Sequence, residues 1–173
     1  MISNGTDPNT ADYDSRTAIM LAAARGFTDL IQLLLCCGAD PNCIDAFGGS
    51  ALWEACRFGH EGAITALLAG GAVLGRDDLS TADTLCTAVY EGDIKLLCRL
   101  LRAGADVDAA DYDGRTALHI AASQSSAPAV RALLDRNPAT SARDRWGNTP
   151  LDDAKRVAAQ EIITMLETHM LAC

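Results

Sequence analysis

The stretch DYDGRTALHIAA, residues 111–122, decides the fold because its landmarks recur along the chain at a constant step of 33 residues. An aspartate, a leucine and an alanine of this stretch each recur five times at this step, and isoleucine replaces the leucine once. A second leucine, which lies after the stretch, also recurs five times. The four sets are Asp12, Asp45, Asp78, Asp111 and Asp144; Ile19, Leu52, Leu85, Leu118 and Leu151; Ala22, Ala55, Ala88, Ala121 and Ala154; and Leu34, Leu67, Leu100, Leu133 and Leu166. A period of about 20–50 residues is typical of stacked structural units. The sequence therefore predicts five tandem repeats.

Each repeat has the pattern of two helices joined by a tight turn. In residues 12–44, the hydroxyl of Thr17 can accept a free backbone N–H as an N-cap, and AIMLAAAR then keeps helical spacing up to Gly26. A second helix, FTDLIQLLLCC, ends at Gly38, and glycine is favoured where a helix ends in the left-handed conformation. Ser50, Thr116 and Thr149 repeat the cap. In the third repeat Asp83 takes that position. The polar segments between repeats are expected to protrude as hairpin-like fingers.

Composition favours a helical protein, and the charge narrows the kinds of partner that it could bind. Of the 173 residues, 49% are apolar, and these are mostly alanine and leucine, which prefer helix to strand. The net charge of −9 argues against nucleic-acid binding, which needs a basic face, and permits a basic protein partner. No apolar run approaches the roughly 18–20 residues of a membrane span, and MISNGTDPNTA is not a signal peptide. We expect a cytoplasmic location, no direct membrane insertion and a disordered lead over residues 1–11.

The cysteines indicate reduced thiols. Their number is odd, and no secretory signal precedes them, so a disulfide framework is not expected. They are Cys36, Cys37, Cys43, Cys56, Cys86, Cys98 and Cys173. A zinc site needs two matched ligand pairs, and the group at 36–43 lacks the second pair. The sequence therefore predicts neither a metal site nor a cofactor.

The repeat resembles the ankyrin repeat, whose pattern D-x-x-G-x-T-P-L-H-x-A-A-x-x-G-H precedes a leucine-rich helix and G-A-D-x-N. GADPN (38–42), GADVD (104–108) and RWGNTPLDDA (145–154) match this pattern, as does the stretch at 111–122. The resemblance implies an all-α ankyrin-repeat solenoid of five helix-turn-helix units with hairpin-like finger loops. The expected units are residues 12–44, 45–77, 78–110, 111–143 and 144–173, of which the last is a C-terminal cap.

A narrower resemblance rests on three phrases in the same order. LCTAV-x-x-GD (85–93), DYDxRTxLHxAAS (111–123) and DRWGNTPLDDA (144–154) are similar to the cytosolic ankyrin domain of plant outward-rectifying Shaker-type potassium channels. The last phrase is also similar to the ankyrin tail of kidney-type glutaminase, and a related set of repeats ends some asparaginases. The given sequence contains no pore, nucleotide-binding or catalytic domain of those proteins, so it implies no enzymatic activity.

Ankyrin arrays bind at the finger tips and at the ends of the first helices, and this chain has its aromatic and arginine residues there. Tyr, Trp and Arg dominate binding hot spots. The predicted partner-binding residues are Tyr13, Arg16, Arg25, Phe47, Arg57, Phe58, Tyr90, Tyr112, Arg115, Arg145 and Trp146. The last four are expected to cluster and to carry the strongest part of the surface. The alternative is that the finger aromatics only pack on the next finger.

Two functions remain open at this point. The first is a non-enzymatic protein–protein interaction scaffold, monomeric in isolation, that binds a protein through its concave ankyrin face. The second is a cytosolic regulatory ankyrin domain of a larger protein such as a voltage-gated potassium channel. His60 and His119 occupy the family's two histidine positions, where such residues hydrogen-bond neighbouring repeats, so we expect them to be structural.

Overall fold

The computed structural model describes residues 7–75 and 78–172, and the regular secondary structure of these residues is helical. The helices form five consecutive pairs: α1 Ala18–Arg25, α2 Thr28–Cys36, α3 Ala51–Phe58, α4 Glu61–Ala69, α5 Asp78–Glu91, α6 Ile94–Arg102, α7 Ala117–Ser123, α8 Ala127–Leu134, α9 Pro150–Arg156 and α10 Gln160–Ala172. Among the helices of the described ranges, none has both the length and the hydrophobicity that crossing a bilayer requires. The predicted all-α class is confirmed.

The 33-residue ladders form the cores of two compact units. The first unit comprises residues 7–75 with 102–104, and the second comprises residues 78–101 with 105–172. Every member of the alanine ladder is at most 2% exposed, and every member of the ladder that begins at Leu34 is at most 4% exposed. Small alanines let first helices approach closely, and α1 packs on α3 in the first unit while α7 packs on α9 in the second. The periodicity therefore identifies the core correctly.

The aspartate ladder builds the turns of four fingers. One carboxylate oxygen of the aspartate accepts two backbone N–H groups, two and four residues further on. In the first finger Asp12 accepts those of Asp14 and Arg16, both at 2.9 Å. The same arrangement recurs at Asp45, Asp111 and Asp144. Such local side-chain bonds explain why aspartate stands at the start of each finger.

The third repeat departs from the prediction, because its expected finger is helical. Helix α5 already begins at Asp78, so Asp83 lies inside the helix and is not its N-cap. In the four regular turns, the residue three positions after the aspartate is left-handed, with φ from 62° at Ser15 to 83° at Gly147. The third repeat has Thr81 at this position, and a β-branched residue strongly disfavours that conformation. The segment therefore continues as helix.

The N-cap prediction is confirmed at two of the first helices and wrong at α1. The hydroxyl of Ser50 accepts the N–H of Trp53 at 3.2 Å. Thr149 and Asp152 form a reciprocal capping box, in which the hydroxyl accepts one N–H at 3.3 Å and the carboxylate accepts the other at 2.9 Å. The Thr17 hydroxyl, in contrast, is buried without a hydrogen-bond partner among the described residues. Helix α1 therefore begins without a side-chain cap.

The described part of the N-terminal segment, residues 7–11, is hydrogen-bonded to the first repeat. The Asn9 amide donates to the carbonyl of Gly38 at 3.4 Å and accepts the N–H of Asp40 at 2.7 Å. Asn42 makes the same pair of bonds one finger further along the chain. Asn9 therefore repeats the linking role of Asn42 within the predicted lead. The first six residues of the predicted lead lie outside the described residues.

Candidate protein-interaction surface

Four aromatic side chains project from the finger turns into solvent. Tyr13 and Phe47 belong to the first unit, and Tyr112 and Trp146 belong to the second; we call these four residues the aromatic finger tips. Their exposure ranges from 63% for Trp146 to 102% for Tyr13. Each lies within an aspartate turn, whose hydrogen bonds hold the backbone on both sides. Large side chains presented by rigid turns are well placed to contact a partner.

Adjacent fingers within each unit are joined through their backbones. The N–H of Ala46 donates to the carbonyl of Asp14 at 2.9 Å in the first unit. In the second unit, the N–H of Arg145 donates to the carbonyl of Asp113 at 2.8 Å. Most of the surface of the aromatic finger tips nevertheless remains exposed. Packing against the next finger therefore does not explain why aromatic residues occupy these positions.

The first unit contains a cavity of about 310 Å³ beside its fingers, which we call the finger cavity. Its large apolar lining residues are Met20, Leu21, Phe47 and Trp53, and its charged lining residues are Arg16, Asp45, Glu54 and Arg57. The structure thus brings three predicted binding residues together, namely Arg16, Phe47 and Arg57. The lining of the cavity combines apolar and charged side chains, as binding pockets commonly do.

The two arginines of the finger cavity pair with different carboxylates. Arg57 contacts Glu54 at 3.3 Å, and the side chain of Glu54 is only 19% exposed. Arg16 pairs instead with Asp12 at 3.2 Å and with Asp14 at 3.0 Å, in the turn of its own finger. All the side chains around Arg16 are well exposed, so this second set of ion pairs is weak.

Three predicted residues lie at the ends of first helices. Arg25 is the last residue of α1, Phe58 is the last residue of α3, and Tyr90 stands one residue before the end of α5. All three are exposed. The guanidinium of Arg57 lies 4.6 Å from the centre of the Phe58 ring, a cation–π arrangement that holds both side chains at the surface.

The second unit contains a buried ion-pair network. Asp153 on α9 is 1% exposed and binds two arginines. Arg115, from the fourth finger, contacts this carboxylate at 3.1 Å, and Arg156, three residues after Asp153, contacts its other oxygen. The guanidinium of Arg115 is therefore tied to α9, so this predicted binding residue has a structural role.

The other predicted residues of the second unit stay at the surface. Arg145 contacts Asp113 of the preceding finger at 2.6 Å, and its guanidinium lies 5.2 Å from the centre of the Trp146 ring. Tyr112 precedes Asp113 and is 90% exposed. The structure thus brings Arg145 and Trp146 together beside the finger of Tyr112, while Arg115 points to the buried network.

Several titratable groups are shifted by these contacts. The backbone hydrogen bond from Arg16 lowers the pKa of Asp12 below its usual 3.8. Burial alone would raise the pKa of Asp144, but hydrogen bonds, first of all from Asn148, outweigh it and lower the pKa. Burial raises the pKa of the Cys86 thiol to about 12, with the nearby carboxylates acting in the same direction. Asp12 and Asp144 are thus stabilised as anions, whereas the thiol of Cys86 is stabilised in its neutral form.

Comparison with known proteins identifies the family. The family model described as "Ankyrin repeats (3 copies)" matches residues 1–78 and 85–170. The chain belongs to the ankyrin-repeat family. The unmatched residues 79–84 fall in the segment where helix α5 replaces the third finger.

Potassium channels of plants are among the relatives of this ankyrin-repeat chain. It is 54% identical to the potassium channel SKOR of Arabidopsis thaliana and 52% identical to the potassium channel KOR1 of Oryza sativa, over 96% of its own length. An L-asparaginase of Dirofilaria immitis is 32% identical over 95% of the chain. The chain spans about a fifth of the length of the two channels and 28% of that of the asparaginase. The resemblance to plant potassium channels is confirmed.

The histidines of the ankyrin-repeat pattern connect neighbouring segments. His119 Nδ1 accepts the N–H of Thr116 at 3.1 Å, so Nε2 carries the proton and donates to the carbonyl of Asn148 at 3.2 Å. His60 Nε2 donates to the carbonyl of Ala24 at 3.2 Å. Among residues 7–75 and 78–172, no group of three His, Cys, Asp or Glu side chains is placed to hold a metal ion.

Trp53 and Glu54, which line the finger cavity, and the buried Asp153, which pairs with Arg115 and Arg156, were not predicted from the sequence. One signal could have found the two carboxylates. In both units an arginine of a finger precedes a carboxylate by 38 residues, and another arginine follows that carboxylate by three. The two residues are 38 positions apart and belong to successive repeats of 33 residues. The periodicity within a single helix therefore does not reveal this pairing.

Proposed function

We propose that this ankyrin-repeat chain is a non-enzymatic interaction module that binds a protein partner through its fingers and first helices, the concave face of ankyrin arrays. The observation that carries the proposal is the exposure of the four aromatic finger tips. The alanine and leucine ladders already fill the cores of both units, so these rings add nothing to the core. Aromatic and arginine side chains held at a surface are the residues that contribute most to protein binding.

The charge of the chain favours a basic partner. The net charge is −9, and complementary charge raises association rates and excludes partners of the same sign. The finger arginines do not reverse this balance, since Arg16, Arg115 and Arg145 are each paired with a carboxylate of the chain itself. The surface therefore combines exposed rings with a negative field.

Affinity capture with matched variants tests the proposal. The wild-type chain, Phe47→Ala, Trp146→Ala and the control Leu171→Ala are immobilised, and bound proteins from a native extract are quantified by mass spectrometry. Leu171 is also highly exposed but lies on α10, outside the fingers, so it controls for the loss of any apolar surface. We expect proteins whose recovery falls for at least one finger variant and not for the control. Equal recovery on all four folded chains would contradict the proposal.

A regulatory domain of a potassium channel is the alternative function. It is supported by an identity of 52–54% to plant potassium channels over nearly the whole chain. In that case the partner surface acts within a longer polypeptide. Sequencing the source gene upstream of the codon for Met1 tests this alternative, because it predicts membrane-spanning segments in the same reading frame. A stop codon directly upstream in that frame would refute it.

A further inference from the structure

The two units contain the same trio of charged side chains in different states. A finger arginine, a carboxylate on the next first helix and an arginine one turn later recur at an offset of three repeats. The trios are Arg16, Glu54 and Arg57 in the first unit and Arg115, Asp153 and Arg156 in the second. Because the three positions correspond, the ion pairs of Asp153 indicate which cationic partners Glu54 could have.

In the second unit the carboxylate has two cationic partners. Asp153 is buried and contacts the guanidinium groups of Arg115 and Arg156. A buried carboxylate is costly unless its charge is well compensated, and this pair of arginines supplies the compensation. The charge of this carboxylate is therefore compensated by two arginines of the chain itself.

In the first unit the corresponding carboxylate has one cationic partner among the described residues. Glu54 is mostly buried, yet its ion pair is with Arg57 alone, at 3.3 Å. Arg16, the counterpart of Arg115, is paired with Asp12 and Asp14 instead. Glu54 therefore does not pair with the finger arginine of its own unit, and Glu54 lines the finger cavity.

The walls of the finger cavity match the rest of an arginine side chain. Phe47, Trp53, Met20 and Leu21 offer apolar and aromatic surface, on which the aliphatic stem and the flat guanidinium of an arginine pack well. The cavity volume of about 310 Å³ is at the low end for ligand pockets and suits one or two side chains.

The local charge also favours a cation. The charged groups that line the finger cavity or pair with its lining are two arginines and four carboxylates, so their net formal charge is −2. They are Arg16, Arg57, Asp12, Asp14, Asp45 and Glu54. An incoming guanidinium therefore meets a site of net negative charge, although two arginines also line the cavity.

We propose that the finger cavity binds an arginine side chain of a basic partner segment, whose guanidinium pairs with Glu54 as Arg115 pairs with Asp153. This assignment rests on the proposed interaction function and specifies the chemistry of the partner. Arginine is preferred to lysine because its planar guanidinium can stack on Phe47 or Trp53 while it binds a carboxylate.

Peptide selection on the full chain provides the test. A phage-displayed library of random dodecapeptides is selected against the immobilised chain, and enriched peptides are synthesised and titrated by calorimetry. We expect an arginine in the enriched peptides, and a loss of affinity of roughly ten- to hundredfold when citrulline replaces it, because citrulline keeps the shape and removes the charge. Lysine in its place is expected to weaken binding as well.

Variants of the chain locate the arginine. Glu54→Gln is expected to lower the affinity of the arginine peptide as much as citrulline does, and Glu54→Gln with the citrulline peptide is expected to cause little further loss. Phe47→Ala removes an exposed wall without disturbing the core and is expected to weaken binding severalfold. Glu167→Gln removes an exposed carboxylate of α10 and is the matched control, with unchanged affinity.

The outcomes separate this inference from the proposed function. Enriched peptides without arginine, or arginine peptides that bind Glu54→Gln as tightly as the wild type, overturn the arginine site. If such peptides lose affinity for Trp146→Ala, the interaction function stands and the partner binds elsewhere. If no peptide is enriched, both proposals fail.

Discussion

The substitution Asp153→Asn measures how much the buried ion-pair network contributes to the second unit. Asparagine has almost the shape of aspartate, so the substitution removes the charge and leaves the packing of α9 intact. Arg115 and Arg156 then lose their shared carboxylate. The matched substitution in the first unit is Glu54→Gln, which removes the carboxylate at the corresponding position.

We expect the two substitutions to lower the free energy of unfolding by different amounts, because the two carboxylates differ in burial and in ion pairs. Breaking a buried ion pair costs about 3–5 kcal/mol. The side chain of Arg115 is 23% exposed and that of Arg156 is 63% exposed, so water screens part of this loss. We expect a decrease of about 2–3 kcal/mol in the free energy of unfolding for Asp153→Asn. Glu54 has one long ion pair with a largely exposed arginine, so Glu54→Gln is expected to cost about 0–1 kcal/mol.

Urea unfolding followed by far-ultraviolet circular dichroism compares the wild type with both variants. Equal m-values show that the unfolding transitions expose the same surface, so that differences in midpoint report stability. For a chain of this size, about 2–3 kcal/mol corresponds to a fall in melting temperature of roughly 4–12 °C. Glu54→Gln is expected to lower it by no more than about 4 °C.

Two results would refute this reasoning. If Asp153→Asn unfolds within about 0.5 kcal/mol of the wild type, the network contributes little and Arg115 is free to act in binding. If Glu54→Gln costs as much as Asp153→Asn, the two trios are equally complete, and the difference between the units on which the arginine site rests does not exist in solution.

Three further predictions concern packing, acid stability and thiol chemistry. Ala121→Leu is expected to destabilise the fold by about 1–3 kcal/mol, because the alanine is fully buried where α7 packs on α9; an unchanged melting temperature would contradict this. Because the pKa of Asp144 is lower in the folded state, its ionised carboxylate stabilises the fold at pH values above the unfolded-state pKa of 3.8. This contribution disappears as the pH falls below 3.8 through the folded-state pKa. Urea midpoints at about pH 7, 5 and 3 should therefore show a smaller loss on acidification for Asp144→Asn than for the wild type. Because the pKa of Cys86 is raised to about 12, iodoacetamide at about pH 8 should label it much more slowly than the exposed Cys98, as peptide mass spectrometry can show.

The sequence by itself determined the helix pairs, their register and the core. These features repeat every 33 residues, and each helix depends on local spacing and on the residues at its ends. The alanine ladder and the leucine ladder that begins at Leu34 are buried as predicted, whereas in the ladder that begins at Ile19 the last member, Leu151, is only partly buried. The exposed finger aromatics also follow from their register in the repeat.

In the third repeat the local sequence overrides the aspartate ladder, which by itself predicts a finger turn there. Asp78 has the same place in the register as Asp111, yet it begins a helix, because Thr81 replaces the left-handed residue of the turn. The linking role of Asn9 was missed because it depends on hydrogen bonds to Gly38 and Asp40, about one repeat away.

The tertiary structure alone decided which finger arginine is tied to a buried carboxylate. Arg16 and Arg115 have the same local sequence, D-Y-D-x-R-T, and no local rule separates them. They differ because Arg115 reaches a buried carboxylate on α9, whereas Arg16 pairs within its own turn beside an open cavity. Ion-pair choice depends on burial and on side chains 38 residues away, and these are properties of the folded chain.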